Sequence, residues 1–448
     1  MSLWQRLSIP VLASAILLCH LVLSLALIPP WQQPDEPTFV AWAEWQRTQW
    51  FDGDDTPDQG REGEIIQSMA SYSWWQHRRL HGQPPNPLPE NFFITGIGTP
   101  VSVAGRPPGY PWVAGTFLSW FPRLSVTGDL YLLRTMSALL GLLTLWIAWL
   151  AARESLGALG GTTVATLLAL HPQFTIVSTS AASDALANLL AALAWWQVAR
   201  IVNGRTVAMS VALMWGAILA AVIVDRMAVP VVVTVGLASI IALWTRLGRT
   251  RTPLALAALG SLLTIGAWNA SWAPGILQES LQSYQWGLLF SASFAPEALT
   301  WDLFSRFTAF IHQSWWFSLG WGRYAPPSWW TGVLTMLTLA AACGIGRQLF
   351  GQTVVHGTTR KIMVLALITL ASQAGAVYWM YYRLANGSQG KSLFPALVPA
   401  LILLWVGVAA WVPERFRAAA AVALVAVLAL FDLSVWTLVA IPAYYASF

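Results

Sequence analysis

Long apolar runs recur along the whole chain and leave few charged residues to cover the surface of a soluble fold. The first run, "PVLASAILLCHLVLSLALIPP", extends from Pro10 to Pro30. Hydrophobic residues make up 56% of the 448 residues and charged residues only 10%, against about 25% charged residues in a typical soluble protein. Apolar runs of about 18 residues or more are typical of transmembrane helices. We therefore predict an all-α polytopic membrane protein, for which a net charge of +5 gives no indication of nucleic-acid binding.

Hydropathy predicts about eleven membrane spans in a single transmembrane domain, residues 1–448. The first span resembles a signal peptide, but it is long enough to cross a bilayer and no small-residue cleavage site follows it. We interpret it as a retained signal anchor. The predicted spans are 9–29, 129–150, 161–178, 184–202, 207–224, 228–245, 253–272, 329–347, 362–382, 392–411 and 418–440.

Basic residues concentrate in the short loops on one side of the predicted spans. By the positive-inside rule this side is cytoplasmic, which also places the N-terminus inside. The acidic residues lie on the other side, apart from Glu154, Glu414 and the intramembrane Asp432. The basic residues of the short loops are Arg153, Arg200, Arg205, Arg246, Arg249, Arg251, Arg347, Arg360, Lys361, Arg415 and Arg417.

Two predicted outer loops are long, at 30–128 and 273–328, so we expect any chemistry on the outer face. In the first loop, "EPTFVAWAEWQRTQWF" has apolar residues at Phe39, Trp42 and Trp45, with Glu44 and Arg47 turned elsewhere. This spacing predicts a helix lying in the membrane interface. The segment "GEIIQSMASYSWWQHRR" is a weaker second candidate.

Two adjacent acids, Asp35 and Glu36, open the first outer loop between Pro34 and Pro37. Asp35 has the position of a helix N-cap, with Pro37 in the first turn. A cap does not explain the second acid. Adjacent helical positions point about 100° apart, so the two carboxylates are expected to have different surroundings and different roles.

A series of short landmarks, in order along the chain, resembles the GT-C superfamily of membrane glycosyltransferases. This superfamily includes the protein O-mannosyltransferases and the bacterial transferases that add aminoarabinose or galacturonic acid to lipid A. The acid pair after the first span resembles the opening of the family's first outer loop. The other landmarks are "RPPGYPWVAG", "YLLRTMSALLGLLT", "HPQFTIVSTSAASDALANLLAAL", "SWWFSLGWGRYAPPSWW" and "NGSQGKSLFPALVPAL".

The resemblance implies transfer of a sugar from a polyprenyl-phosphate donor to a hydroxyl on an acceptor glycan, lipid or protein. It implies that Asp35 is the catalytic base, since a positioned carboxylate can accept the hydroxyl proton. Glu36 would then bind the acceptor or tune Asp35 through like-charge proximity. Asp184 would face these acids from the start of the fourth span, although a helix N-cap explains it equally well.

Cations are needed for the leaving phosphate, and the outer face offers few. The resemblance favours Lys391, where many relatives carry arginine, with Arg383 and Arg323 as alternatives. Arg134 lies just inside the second span and either snorkels to the interface or faces inward as a binding residue. His171 is either a sugar ligand or an interfacial anchor. We interpret Asp225 and Arg226 as a local ion pair.

We predict no cofactor and no metal site, and leave a divalent cation open as an alternative. His77 and His81 have the spacing of metal ligands on a helix, but no third ligand stands at a motif spacing. The expected partners are the polyprenyl-phosphate-linked sugar, the acceptor and membrane lipid, in the cytoplasmic (inner) membrane of a prokaryote. A flippase of lipid-linked sugars would show matching halves, and an envelope scaffold would not need the paired acids. Both stay as alternatives.

Overall fold

The structure is a computed structural model that describes residues 3–52, 59–77, 107–205, 207–246, 300–320, 322–351, 357–384 and 389–445. Within these residues the chain is helical, with a single isolated bridge between Leu319 and Tyr324. The helices are α1 Leu3–Leu27, α2 Glu36–Asp52, α3 Gln59–Ser71, α4 Trp74–His77, α5 Gly109–Ser119, α6 Val126–Ala169, α7 Pro172–Ser178, α8 Asp184–Val202, α9 Val207–Val224, α10 Val231–Arg246, α11 Trp301–Trp316, α12 Ser328–Phe350, α13 Gly357–Leu384, α14 Leu397–Ala409, α15 Arg417–Val435 and α16 Ile441–Tyr445.

The predicted all-helical membrane class is confirmed for the described part of the chain. Seven segments there are long and apolar enough to cross a membrane, and two shorter apolar segments, Ala208–Val224 and Arg226–Ala242, accompany them. Every predicted span within the described residues falls on a helix or on two successive helices. The predicted span 253–272 lies outside the described residues, so the count of about eleven stays a prediction.

The second and third predicted spans form one helical hairpin. Helix α6 is interrupted at Gly157, whose φ of 79° and ψ of −171° are not helical. A positive φ is accessible to glycine at low cost because glycine lacks a Cβ. The chain returns along its first half, so that Gly141 packs against Ser178. This hairpin brings the stretch that follows α7 back to the end of the bundle where α6 begins.

Helices in the first outer loop form a core of their own. Phe39, Val40 and Ala43 of α2 pack with Ile65 and Ile66 of α3 in this core. Phe39 and Trp42 of the predicted apolar face are both buried inside the protein, and the location of α2 in the membrane interface stays a prediction. The predicted helices of this loop are present wherever the structure describes it, and they rest on one another and on the start of α6.

The charged face predicted for α2 is not turned to solvent. Glu44 and Arg47 are buried, as are Arg61 of α3 and Asp129 of α6. Arg61 is 2.9 Å from Glu44 and is also paired with Asp129, and Arg47 is 3.5 Å from Asp129. Buried charges persist where they are paired and hydrogen-bonded, so pairing within this cluster explains why Glu44 and Arg47 are buried. It joins α2 and α3 to the first turn of α6.

A polar pair also connects the first and last spans. His20 of α1 lies 2.7 Å from Asp432 of α15, and Asp432 accepts a second hydrogen bond from the indole of Trp436 at 3.0 Å. Asp432 lies within a predicted span, and the sequence offers it no partner. Their pairing satisfies two polar groups that are costly to bury separately.

Helix α11, in the described part of the second outer loop, supports the end of the bundle where Asp35 lies. Its Phe307 and Ile311 pack with Val377 of α13 in a small separate core. The amide of Gly390 donates to the hydroxyl of Ser314 at 2.8 Å. The short 3₁₀ segment Gly390–Ala396 is thereby attached to the C-terminal turn of α11.

Candidate active site

The backbone at the acid pair is strained. Asp35 has a φ of 70°, and Trp31, four residues earlier, has a φ of 69°. Such left-handed conformations cost free energy for residues other than glycine and are concentrated at functional sites. Helix α2 starts directly afterwards, with the Asp35 carbonyl accepting from the amide of Phe39 at 3.1 Å. Asp35 therefore occupies the predicted cap position, while its carboxylate faces the bundle.

Glu36 and Arg134 form a fully buried, two-pronged ion pair. Arg134 Nε is 2.8 Å from Glu36 Oε1, and Arg134 Nη2 is 2.8 Å from Oε2. The Glu36 oxygens also accept from the amides of Ala181 at 3.2 Å and Gln33 at 3.3 Å. Neither side chain in the ion pair is exposed. These contacts argue against the predicted role of Glu36 as an acceptor ligand and that of Arg134 as a phosphate ligand.

Arg134 also connects the ion pair to the end of the first span. Its Nη1 donates to the carbonyl of Ile28 at 2.8 Å, and its Nη2 donates to that of Pro29 at 2.9 Å. Arg134 is thus turned inward rather than snorkelling to the membrane surface. It connects α1, α6 and the first turn of α2, and so fixes the chain immediately before and after Asp35.

Lys391 lies between two of the predicted acids. Its Nζ is 2.9 Å from Asp184 Oδ2 and 3.7 Å from Asp35 Oδ2. The three side chains are 14%, 17% and 20% exposed for Lys391, Asp184 and Asp35. They are therefore partly accessible, unlike the buried pair behind them. The three residues are far apart in the sequence, and the fold brings them together as the sequence predicted.

The backbone that carries Lys391 is held closely. A Cβ on Gly390 would lie 2.0 Å from the backbone nitrogen of Trp315, so only glycine fits there. On the other side, the Gln373 amide of α13 donates to the carbonyl of Ser392 at 2.8 Å. The position of the Lys391 ammonium is thus set by helices α11 and α13.

A third carboxylate, Asp225, stands behind Asp184. Its Oδ2 accepts from the hydroxyl of Ser183 at 2.8 Å, and its Oδ1 accepts from the amide of Met227 at 2.8 Å. Burial, and then the charge of Asp184, raise the pKa of Asp225 above its ordinary value. The sequence indicates only a local pair with Arg226. The contact with Ser183 joins the start of α8 to the end of α9. It depends on how these two helices pack and has no sequence signal.

His171 and Gln173 lie in the interior rather than at a lipid surface. His171 is fully buried, accepts from the amide of Phe174 at 3.3 Å, and stacks on Trp316 with the ring centroids 5.4 Å apart. Gln173 accepts from the amide of Ser318 at 2.6 Å. An interfacial-anchor role for His171 is therefore wrong, and the ring contacts do not support sugar binding by its faces.

The other predicted cations and ligands are Arg323, Arg383, His77 and His81. Arg323 is exposed in the turn between Leu319 and Tyr324, 5.1 Å from the ring centroid of Tyr324. The side chains of Arg383 and His77, and the whole of His81, lie outside the described residues. Within the described part, no three His, Cys, Asp or Glu side chains are grouped suitably for a metal ion.

Comparisons with known proteins give matches among solved structures alone: no protein-family model and no curated protein matches the chain. ArnT from Cupriavidus metallidurans in the apo state is 16% identical over 89% of this chain and 59% of that chain, with a TM-score of 0.49. The apo Archaeoglobus fulgidus oligosaccharyltransferase is 13% identical over 99% of this chain and 56% of that chain, with a TM-score of 0.47.

A second structure of the same ArnT, bound to undecaprenyl phosphate, is 15% identical over 97% of this chain and 78% of that chain, with a TM-score of 0.35. The chain spans little more than half the length of the first two structures. With TM-scores below 0.5, we base the functional proposal on the contacts of Asp35, Asp184 and Lys391.

Proposed function

We propose that the protein is a membrane glycosyltransferase that moves a sugar from a polyprenyl-phosphate donor to a hydroxyl of a glycan, lipid or protein acceptor. The observation that carries the proposal is the group formed by Lys391, Asp184 and Asp35. It supplies a partly exposed carboxylate that can take a proton, beside a cation that can receive a phosphate. Both functions are required when a lipid phosphate is the leaving group.

In the proposed step Asp35 accepts the proton of the acceptor hydroxyl, while the oxygen of that hydroxyl forms a bond to the anomeric carbon of the sugar. The bond from this carbon to the phosphate oxygen breaks, and the polyprenyl phosphate leaves with the electron pair. A positioned general base of this kind is typically worth about 10²–10⁴-fold in rate. Asp35 is the better placed of the acid pair because Glu36 is occupied by Arg134.

Lys391 is proposed to receive the leaving phosphate, as a point charge rather than a two-pronged ligand. Two carboxylates already share its ammonium, so the group carries one net negative charge. A phosphate that approaches Lys391 would repel both carboxylates and compete with them for the ammonium. The contact with Asp35 is the longer one, 3.7 Å against 2.9 Å, which makes Asp35 the partner released. Donor binding would then free Asp35 to act as the base.

The same end of the bundle is proposed to face away from the cytoplasm. The separation along α8 supports this. Asp184 and Arg200 are 16 residues apart on this helix, which corresponds to about 24 Å at 1.5 Å per residue. Arg200 belongs to the basic side that the positive-inside rule assigns to the cytoplasm. The N-terminus would lie inside, in the inner membrane of a prokaryote, and the acids outside.

The test is transfer by the purified full chain from a panel of polyprenyl-phosphate-linked sugars, with release of polyprenyl phosphate measured. We expect Asp35→Asn to lower turnover by about 10²-fold or more, with an unchanged elution profile in detergent. Asp302→Asn is the matched control, because Asp302 is an exposed carboxylate paired with Arg306 on α11. Wild-type turnover by Asp35→Asn would remove Asp35 as the base, and a wild-type chain that uses no donor of the panel would contradict the proposed function.

A further inference from the structure

A cavity opens at the end of the bundle opposite Asp35 and Lys391. It has a volume of ≈ 640 Å³ and lies between the kink of α6, the last turns of α12 and α14, and the starts of α13 and α15. Ser155 of this cavity is 21 residues beyond Arg134 on α6, or about 32 Å at 1.5 Å per residue. This is close to the hydrocarbon thickness of a bilayer, about 30 Å, so the cavity lies at the level of the opposite membrane surface.

Two arginines, Arg347 and Arg417, line the cavity. Arg417 is 3.7 Å from Glu414, whose side chain is 89% exposed, so solvent weakens this pair. The Nε of Arg417 is buried and has no hydrogen-bond partner among the described residues. Arg347 makes no ion pair in the part of the chain that the structure describes. Two arginines against one exposed glutamate leave a net positive charge, and the buried donor calls for a ligand that can accept from it.

The polar side of the cavity suits a phosphate group. The guanidinium carbon of Arg347 lies 5.5 Å from the ring centroid of Trp411. Contact with a ring uses the face of a guanidinium and leaves its in-plane N–H groups available for two hydrogen bonds to a phosphate. Arg417 is also the first residue of α15, where the helix dipole adds a partial positive charge.

Apolar side chains form much of the remaining lining. Leu156 and Leu159 of α6 face the cavity from one side, and Ala410, directly after α14, faces it from another. Leu159 and the neighbouring Trp411 are exposed, and tryptophan is enriched at the headgroup level of a bilayer. A soluble anion would gain nothing from the two leucines, whereas acyl carbons would be removed from water there. The lining therefore favours a lipid as the carrier of the phosphate.

We propose that this cavity binds the headgroup of an anionic phospholipid of the leaflet opposite the candidate active site. Arg347 and Arg417 would bind the phosphate oxygens, with the buried Nε of Arg417 among the donors. Leu156 and Leu159 would contact the glycerol and the first acyl carbons. The proposal is independent of the proposed sugar transfer.

The test is binding of phosphatidylglycerol to the full chain in neutral detergent, measured by native mass spectrometry against phosphatidylcholine. The choline group would place a cation beside the two arginines, so the wild type should prefer phosphatidylglycerol. Arg347→Gln with Arg417→Gln should weaken phosphatidylglycerol binding about tenfold or more, as expected for loss of hydrogen bonds to a charged group. Phosphatidylcholine binding should change less.

The matched control is Arg360→Gln with Arg415→Gln, which removes two exposed charges near the starts of α13 and α15 but outside the cavity lining. Equal loss in the two double variants, or less than about a twofold loss in the cavity variant, overturns the proposal. Displacement of the lipid by glycerol phosphate at the same concentration also overturns it. If the glutamine variant does not fold, Ala410→Trp keeps both arginines and fills part of the cavity. Unchanged phosphatidylglycerol binding there has the same consequence.

Discussion

Removing the charge of Glu36 should destabilise the protein rather than act mainly on the chemistry. In the variant Glu36→Gln, the Arg134 guanidinium keeps its charge but loses its carboxylate, at a position with no exposure to solvent. One amide oxygen of the introduced glutamine and the two backbone carbonyls at the end of α1, at 2.8 and 2.9 Å, can still accept from Arg134. Carbonyl dipoles do not neutralise a buried cation.

The expected loss is about 3–5 kcal/mol, the usual consequence of removing one partner from a buried ion pair. Removing both charges should be milder. The double variant Glu36→Gln with Arg134→Met leaves no unpaired charge, although it removes the donors to the carbonyls of Ile28 and Pro29. We therefore expect the double variant to lose less than the sum of the single losses, by about 2–3 kcal/mol of coupling.

The measurement is a double-mutant cycle on thermal stability in detergent. Its readout is the fraction of the protein that still elutes as a monodisperse peak after heating. Thiol-reactive dyes are unsuitable because Cys19 and Cys343 are exposed in the folded protein. If Glu36→Gln retains the stability of the wild type and instead loses turnover or acceptor affinity, Glu36 acts on the substrate, and the structural assignment of the ion pair is refuted.

Two further predictions concern Lys391 and the neighbouring Gly390. Lys391→Arg should retain most donor use, whereas Lys391→Met should raise the donor concentration needed for half-maximal turnover by roughly tenfold or more, as expected for loss of a charged phosphate contact. An unchanged donor titration for Lys391→Met would move the phosphate to another cation, such as Arg323 or Arg383. Gly390→Ala should lower turnover with the same donor. The added Cβ would lie 2.0 Å from the Trp315 backbone nitrogen and so displace Lys391. Activity like that of the wild type would show that the segment can move without cost.

Much of the fold could be predicted because membrane spans have a strong sequence signal. Runs of apolar residues near 20 in length gave segments that fall on helices throughout the described residues. The ion pairs between different helices were harder to predict from the sequence. Glu44 and Arg47 have the spacing of an exposed charged face, and only their partners on other helices, Arg61 and Asp129, make their burial understandable. Pairing between distant segments leaves no periodic signal in either segment.

The candidate site was likewise predicted only in part. The sequence predicted Asp35, Asp184 and Lys391 as site residues, and the fold brings all three together. It did not predict that Arg134 would bind Glu36, because both residues also fit roles toward a substrate. It also missed the link from Asp225 to Ser183. Roles of charged residues depend on which partner is nearest, and that distance is fixed only after the helices have packed.

The different surroundings of the adjacent acids follow from the backbone at Asp35 more than from helical geometry. On a helix the two side chains would diverge by about 100°, but Asp35 is left-handed, with a φ of 70°, and Glu36 is the first residue of α2. One carboxylate therefore reaches Lys391, and the other enters the buried pair. Asp and Asn adopt this conformation more readily than other residues with side chains. Asp35→Asn consequently removes the charge while keeping the backbone, whereas Asp35→Ala would also strain the start of α2 and confuse a loss of base with a loss of position.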